Sequence, residues 1–247
     1  MPQTPPALIE TMRLADGQIA LWPGHRARLL MSAQALGYPV DPRHIDAQIA
    51  EAIRRLKHPA EPARTPQTAE PDDASGPAVW RLRLLLQADG QCAIQHSPLP
   101  ATPEPVQLAW ADHVLTTRAS DSALDQHNVW LRHKTTHRPW FAAAQDWLQR
   151  HPTHFDLLFC NQADAPCEGS RCNLYVRDPQ GGWLTPPLAN GLLPGVQRQW
   201  LLDQGRAREA PLSRLDLETA PALRVSNALR GWLNARLEFA GRIHSFT

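Results

Sequence analysis

The stretch CEGSRCNLYVRDPQGGWLTPPLANGLLPGVQR, from Cys167 to Arg198, constrains the fold of this chain more than any other. Alternation after Gly169 suits a strand, Asp178-Pro179-Gln180-Gly181-Gly182 supplies turn chemistry, and Trp183 to Thr185 restarts an extended run. A strand pair is therefore expected. Gly191 and Gly195 then bracket Leu192-Leu193-Pro194, and Val196, Trp200 and Leu201 follow at helical spacing until Gly205 ends the run. A glycine loop that opens into a helix aims unpaired N–H groups and the positive end of the helix dipole at an anion. Such a loop also serves as a purely structural turn, so its meaning depends on its partners.

A chain of 247 residues has room for one large or two small domains with ample core. A net charge of +1 and a pI near 7.8 give no reason to expect nucleic acid or a membrane surface as a partner. Apolar runs such as Leu84-Leu85-Leu86 are too short to span a bilayer, and Met1 to Pro6 is polar and proline-rich rather than a leader. A cytoplasmic protein is expected. The cysteines Cys92, Cys160, Cys167 and Cys172 form no CxxC pair and read as reduced, buried thiols. His133 and His137 stand four apart, but neither an HExxH pattern nor an acidic ligand set accompanies them, so no metal is expected.

Only Lys57 and Lys134 among the 25 basic residues are lysines; the others are arginines. A guanidinium stays charged and forms no imine, so a retained lysine marks a place where an amine is required. Lys57 borders a proline-rich segment and fits a surface remnant, whereas Lys134 lies inside LRHKTTHRPW.

Ahead of that motif, Ala7 to Leu14 meets Asp16-Gly17, a hairpin signal, and Gln18 to Trp22 is expected to return as a strand. A helix should run from about Pro23 to Gly37. Asp41-Pro42 caps a second, with Ile45, Ile49, Ile53 and Leu56 as its apolar stripe. Residues 58–77 lack any period and read as a surface loop. Val79 to Gln87 and Gln91 to His96 flank Asp89-Gly90 as a second hairpin, and Val106 to Trp110 forms a further strand. A crossover is expected between Asp112 and His127, then a helix from about Arg138 to Arg150 and a buried strand from Phe155 to Cys160.

Five short motifs occur in order: His25 to Arg28 as HxxR, HKTT at Lys134, EGSRCN at Glu168, GLLPGVQR at Gly191, and LRVSNALRGW at Leu223. In that order they resemble the fold-type IV pyridoxal-phosphate enzymes, the class IV aminotransferase family. The resemblance implies a two-domain α/β (α+β) fold like that of D-amino-acid aminotransferase. Residues 1–115 would form a smaller α+β domain, 116–127 a linker, and 128–247 a larger domain with a barrel-like sheet. Most members of the family carry an additional N-terminal strand and a glycine-rich approach ahead of their ET pair, here Glu10-Thr11, and this chain departs from that pattern.

The resemblance also implies roles. Lys134 would hold pyridoxal 5'-phosphate as a Schiff base and shuttle a proton, which requires its pKa to fall from about 10.4. Glu168 would face the pyridine nitrogen. Arg28, Gly195, the N–H groups of Val196 and Gln197, and Ser226, Asn227 and Ala228 would hold the phosphate. Arg138 and Arg230 would bind substrate carboxylates. HKTT and SNALRGW are most similar to aminodeoxychorismate lyase-type domains, which form 4-aminobenzoate and pyruvate. The alternatives are a class IV aminotransferase for branched-chain or D-amino acids and an inactive binding relative. A homodimer acting on a small-molecule amine is implied, with an aminodeoxychorismate synthase as a partner.

Overall fold

The computed structural model describes residues 5–57, 79–115 and 122–238. The expected loop at 58–77 lies outside the described residues. The chain divides into two compact units, Met1–Ala101 and Thr102–Thr247.

In the first unit, β1 (Leu8–Leu14) and β3 (Cys92–Pro98) flank β2 (Trp80–Leu86) in an antiparallel sheet. Alternation along β1 and β2 puts Leu8, Met12, Leu14, Leu82, Leu84 and Leu86 into one core with Leu29 and Ala33 of α1 (Trp22–Leu36) and Ile45 and Ile49 of α2 (Pro42–Lys57). Each such fully buried leucine contributes about 1.5–3 kcal/mol. Ile53 and Leu56 complete the stripe of α2 at its edge, and Asp41 Oδ1 accepts the Arg43 N–H at 2.9 Å as the expected cap. Asp16 and Gly17, at φ 51° and 70°, do make a tight turn. The returning strand, however, is reduced to one bridge between Ala15 and Gln18, because α1 already starts at Trp22. The ladder of β1 goes instead to the distant β2, from Leu8 opposite Leu86 to Leu14 opposite Trp80.

The second unit is built on β4 (Val106–Trp110), β5 (His154–Cys160), β6 (Pro166–Gly169), β7 (Asn173–Arg177), β8 (Trp183–Thr185), β9 (Arg208–Glu209), β10 (Leu223–Asn227) and β11 (Gly231–Leu237). Its strand order is β10-β11-β4-β5-β6-β7-β8-β9, and a further β10–β7 pairing closes the first six into a barrel-like ring. β4 is parallel to β5 and β11, while β5–β6, β6–β7, β7–β10 and β10–β11 are antiparallel. Because β4 is laddered on both edges into this sheet, the division falls at Ala101/Thr102, ahead of the 116–127 linker drawn from the sequence. Within that stretch Leu124 is buried and bridges Asn161 of the same unit.

One face of the ring carries Leu108, Trp110, Leu158, Leu174, Val176, Val225 and Leu233 in one cluster. The other packs Ala109, Leu157 and Phe159 beneath Leu131, Phe141, Ala144 and Leu148. Coverage on both faces explains why β5 reads as a continuous apolar run broken only by Asp156. The four-residue α3 (Ala111–Val114) follows β4, and the expected 138–150 helix begins as a 3-10 turn at Pro139–Phe141 before α4 (Ala142–Arg150). Two helices complete the unit, α5 (Val196–Asp203) and α6 (Arg214–Thr219). Among the described residues no helix is long and apolar enough to cross a membrane.

Candidate active site

Lys134 sits on a short segment fixed at both ends. Upstream, a 3-10 turn at Val129–Arg132 is capped by Asn128, whose Oδ1 accepts the Trp130 N–H, and Leu131 buries itself against α4. Downstream, the buried Thr135 hydroxyl donates to the His137 carbonyl at 3.1 Å and accepts the His137 N–H at 3.2 Å. The lysine between them is half-buried, and its charge acts on Glu168.

Glu168 is the penultimate residue of β6, opposite Phe159 on one side and Asn173 on the other, and it is buried. Burial pushes its carboxyl up; Arg138, the Leu193 N–H and Lys134 pull it down, and Asp156 pushes it up again. Burial wins, and the carboxyl stands at about 7.

The turn after Glu168 is wound around Asp156. Its Oδ1 accepts the N–H of Leu157 and both the N–H and hydroxyl of Ser170; its Oδ2 accepts the Arg171 N–H and the Cys172 thiol. A Cβ on Gly169 would come within 2.3 Å of Asp156 Oδ2, so only glycine lets the strand pass this close. Arg138 closes the same turn: its Nη2 donates to the Ser170 carbonyl at 2.5 Å, and its guanidinium lies 4.6 Å from the Phe141 ring centre.

The glycine loop is clipped to this turn through Leu193. Its N–H goes to Glu168, and its carbonyl accepts Asn173 Nδ2 at 3.1 Å. Gly195 follows as the N-cap of α5 without a side-chain cap, and a Cβ there would fall 1.9 Å from Asn173 Oδ1. The close approach of Asn173 demands glycine, and the α5 start presents Val196 and Gln197 at its positive end. Arg198, one residue on, is buried and ties α5 to the Pro186 carbonyl at 2.8 Å and to Glu209.

Ser226 lies beside Asn173 in the β7–β10 ladder, and its hydroxyl shares a 2.8 Å bond with the Tyr175 hydroxyl. Asn227 uses Nδ2 on the Arg171 carbonyl and Oδ1 on the N–H groups of Leu229 and Arg230, closing the turn to β11 around half-buried Ala228. Both side chains therefore brace the turn. Lys134, Glu168, Arg138, Gly195, Val196, Gln197, Ser226, Asn227, Ala228 and Arg230 all belong to the second unit.

Arg28 belongs to the first unit. Its Nε and Nη2 donate to the two Glu10 oxygens at 2.8 and 2.5 Å, and His25 Nδ1 approaches Glu10 at 2.6 Å. Burial raises the Glu10 carboxyl, but Arg28 and His25 outweigh it and hold it at about 2, below its ordinary 4.5. The stability this adds is present above pH 4.5 and lost as pH falls toward about 2. Arg28→Ala, which strands a buried charge, is expected to lower stability by about 3–5 kcal/mol at neutral pH, read by urea denaturation.

Sequence reasoning missed Asp156, Asn173 and Arg171. Asp156 had a signal, a lone acid within the apolar strand HFDLLFC; Asn173 and Arg171 lay in plain view inside EGSRCN.

Residues 7–237 match the family model described as amino-transferase class IV. A Schizosaccharomyces pombe protein named provisionally as an aminodeoxychorismate lyase is 25% identical over 203 residues, 82% of this chain and 75% of its own. A Mesorhizobium loti structure named provisionally as an amino-acid aminotransferase is 33% identical with a TM-score of 0.76, over 95% of this chain and all of that one. The 4-amino-4-deoxychorismate lyase of Pseudomonas aeruginosa shares the fold at 19% identity and a TM-score of 0.67, over 94% of this chain and 82% of its own.

Proposed function

As this chain belongs to the class IV aminotransferase family, we propose that it is a pyridoxal-phosphate enzyme that converts 4-amino-4-deoxychorismate into 4-aminobenzoate and pyruvate. The residues fit the cofactor on three counts: an amine at Lys134, a buried acid at Glu168 within reach of its charge, and an uncapped helix start at Gly195. Pyridoxal phosphate, when bound, supplies a conjugated ring that accepts the electrons left behind as a bond beside the substrate amine breaks.

Lys134 would hold the cofactor, and its Nζ would take the proton from the ring carbon bearing the substrate amine. The enolpyruvyl ether C–O bond then breaks, the ring becomes aromatic, and a proton returned to the departing methylene gives pyruvate. No oxidant or reductant is consumed. Glu168 would face the pyridine nitrogen, where a carboxyl poised at about 7 shares a proton near neutrality. The phosphate would rest on the N–H groups of Val196 and Gln197 after Gly195 and on Ser226, Asn227 and Ala228. Helix-end contacts are worth about 0.3–2 kcal/mol each, so several must act together. Arg138 and Arg230 would meet substrate carboxylates.

The observation that carries this reading is the action of Lys134 on buried Glu168, from a loop anchored at Leu131 and Thr135. The lyase is favoured over its relatives by HKTT, by SNALRGW and by the names of the S. pombe and P. aeruginosa proteins. The 33% identical M. loti protein favours transamination as the second reading. Protein loaded with pyridoxal phosphate and given aminodeoxychorismate should release pyruvate and 4-aminobenzoate in equal amounts. Keto acid from an ordinary amino acid, with no 4-aminobenzoate, would move the assignment to an aminotransferase. Neither product would leave a binding relative. The enzyme is taken to act in the cytoplasm as a homodimer, supplied by an aminodeoxychorismate synthase.

A further inference from the structure

We propose that Arg171 is a substrate-carboxylate ligand of this site and selects for a dicarboxylate substrate. The proposal deepens the reaction given above and rests on it.

Asp156, the acid nearest to Arg171, already receives five donors: the N–H groups of Leu157, Ser170 and Arg171, the Ser170 hydroxyl and the Cys172 thiol. A carboxylate offers about four lone-pair sites, so none is left for a guanidinium. Arg171 Nε accordingly comes no nearer than 4.0 Å to Asp156 Oδ1, beyond hydrogen-bond range. Among the described residues that is its closest approach to any carboxylate, and its side chain is 49% exposed.

The backbone of Arg171 is nevertheless fixed on both sides. Its N–H is held by Asp156, and its carbonyl accepts Asn227 Nδ2 at 3.2 Å. The side chain thus leaves the chain where the β6–β7 turn meets the β10–β11 turn, the one that carries Ala228 and Arg230 just after Ser226. Arg138, which precedes the 3-10 turn at Pro139–Phe141, reaches the same β6–β7 turn through the Ser170 carbonyl. Its guanidinium feels Glu168 and Asp156 as favourable charges and Arg171 as an unfavourable one. Two guanidinium groups stand beside Asp156 and a Glu168 carboxyl poised at about 7, so whenever Glu168 carries its proton the positive charge is in excess, which a second anion relieves. A planar fork on a rigid turn matches a carboxylate in particular. Aminodeoxychorismate carries two.

The test compares Arg171→Ala, Arg171→Gln and Arg171→Lys with the wild type, all loaded with pyridoxal phosphate. A contact made equally before and during reaction shifts KM rather than kcat. In the alanine and glutamine variants KM for aminodeoxychorismate should rise about 10- to 100-fold with kcat within about threefold, and lysine should recover part of the loss. Thermal melting should be unchanged, because the backbone N–H, not the side chain, serves Asp156. Chorismate and 2-oxoglutarate, both dicarboxylates, provide equilibrium probes followed by calorimetry. If the wild type makes no 4-aminobenzoate but Arg171→Gln binds 2-oxoglutarate at least tenfold more weakly, the anion role stands and the lyase reading falls. Unchanged KM and unchanged probe binding in both neutral variants would overturn the inference, as would a wild type that binds neither probe.

Discussion

Lys134→Ala is expected to abolish turnover, with kcat reduced by more than about 10³-fold, and to remove the visible absorption of the cofactor-loaded protein. The size of the effect follows from the two tasks proposed for one amine, holding the cofactor and moving the proton. Arg138, the other cation that acts on Glu168, keeps its proton and forms no imine, and Lys57 lies in the other unit. The fold should survive. Lys134 is only half-buried, and its segment is anchored by Leu131 and Thr135 rather than by the lysine itself. Unchanged far-UV circular dichroism and melting beside lost activity would assign the defect to chemistry. Residual activity within about tenfold of wild type would remove Lys134 from the reaction.

Glu168→Gln should separate function from stability with opposite signs. Glutamine keeps the size of the side chain and an oxygen for the Leu193 N–H, but it cannot ionise. With the carboxylate gone, the pyridine nitrogen loses the group proposed to hold its proton, and kcat should fall by about 10²–10³-fold. Stability without cofactor should move the other way. The folded-state carboxyl stands at about 7 against an ordinary 4.5, so the folded protein binds the proton more tightly than the unfolded chain. Glu168 therefore costs little below pH 4.5, and its cost grows until pH passes about 7. Between about pH 5 and about pH 8 the glutamine variant should gain roughly 2–3 kcal/mol relative to wild type in urea denaturation. A gap that does not change with pH would contradict the burial argument.

What the sequence made legible was local. Asp89-Gly90, Asp41-Pro42 and the run from Val106 to Trp110 each carry their signal within a few residues, and each forms the expected turn, cap or strand. Lys134 stood out by rarity and Glu168 by its motif. Long-range partners leave no such trace. The pairing of β1 with β2 joins Leu8 to Leu86, and the placement of β4 depends on β5 and β11, which lie far along the chain. Glu10 looks like an ordinary strand acid until Arg28 and His25 are folded around it. The motif at Asn227 named the turn correctly but not the use of its amide, which closes the chain onto Arg171 and Arg230. Asp156 shows the same limit, since four donors reach it through a turn whose path only the closed sheet defines.

The central claim is that one lysine carries the cofactor, and a chain with two lysines lets it be tested by position. Borohydride fixes a lysine-bound pyridoxyl group as a stable secondary amine, and peptide mass spectrometry then locates it. The added mass is expected on the peptide that contains Lys134. An adduct on Lys57, or no adduct after incubation with pyridoxal phosphate, would contradict it.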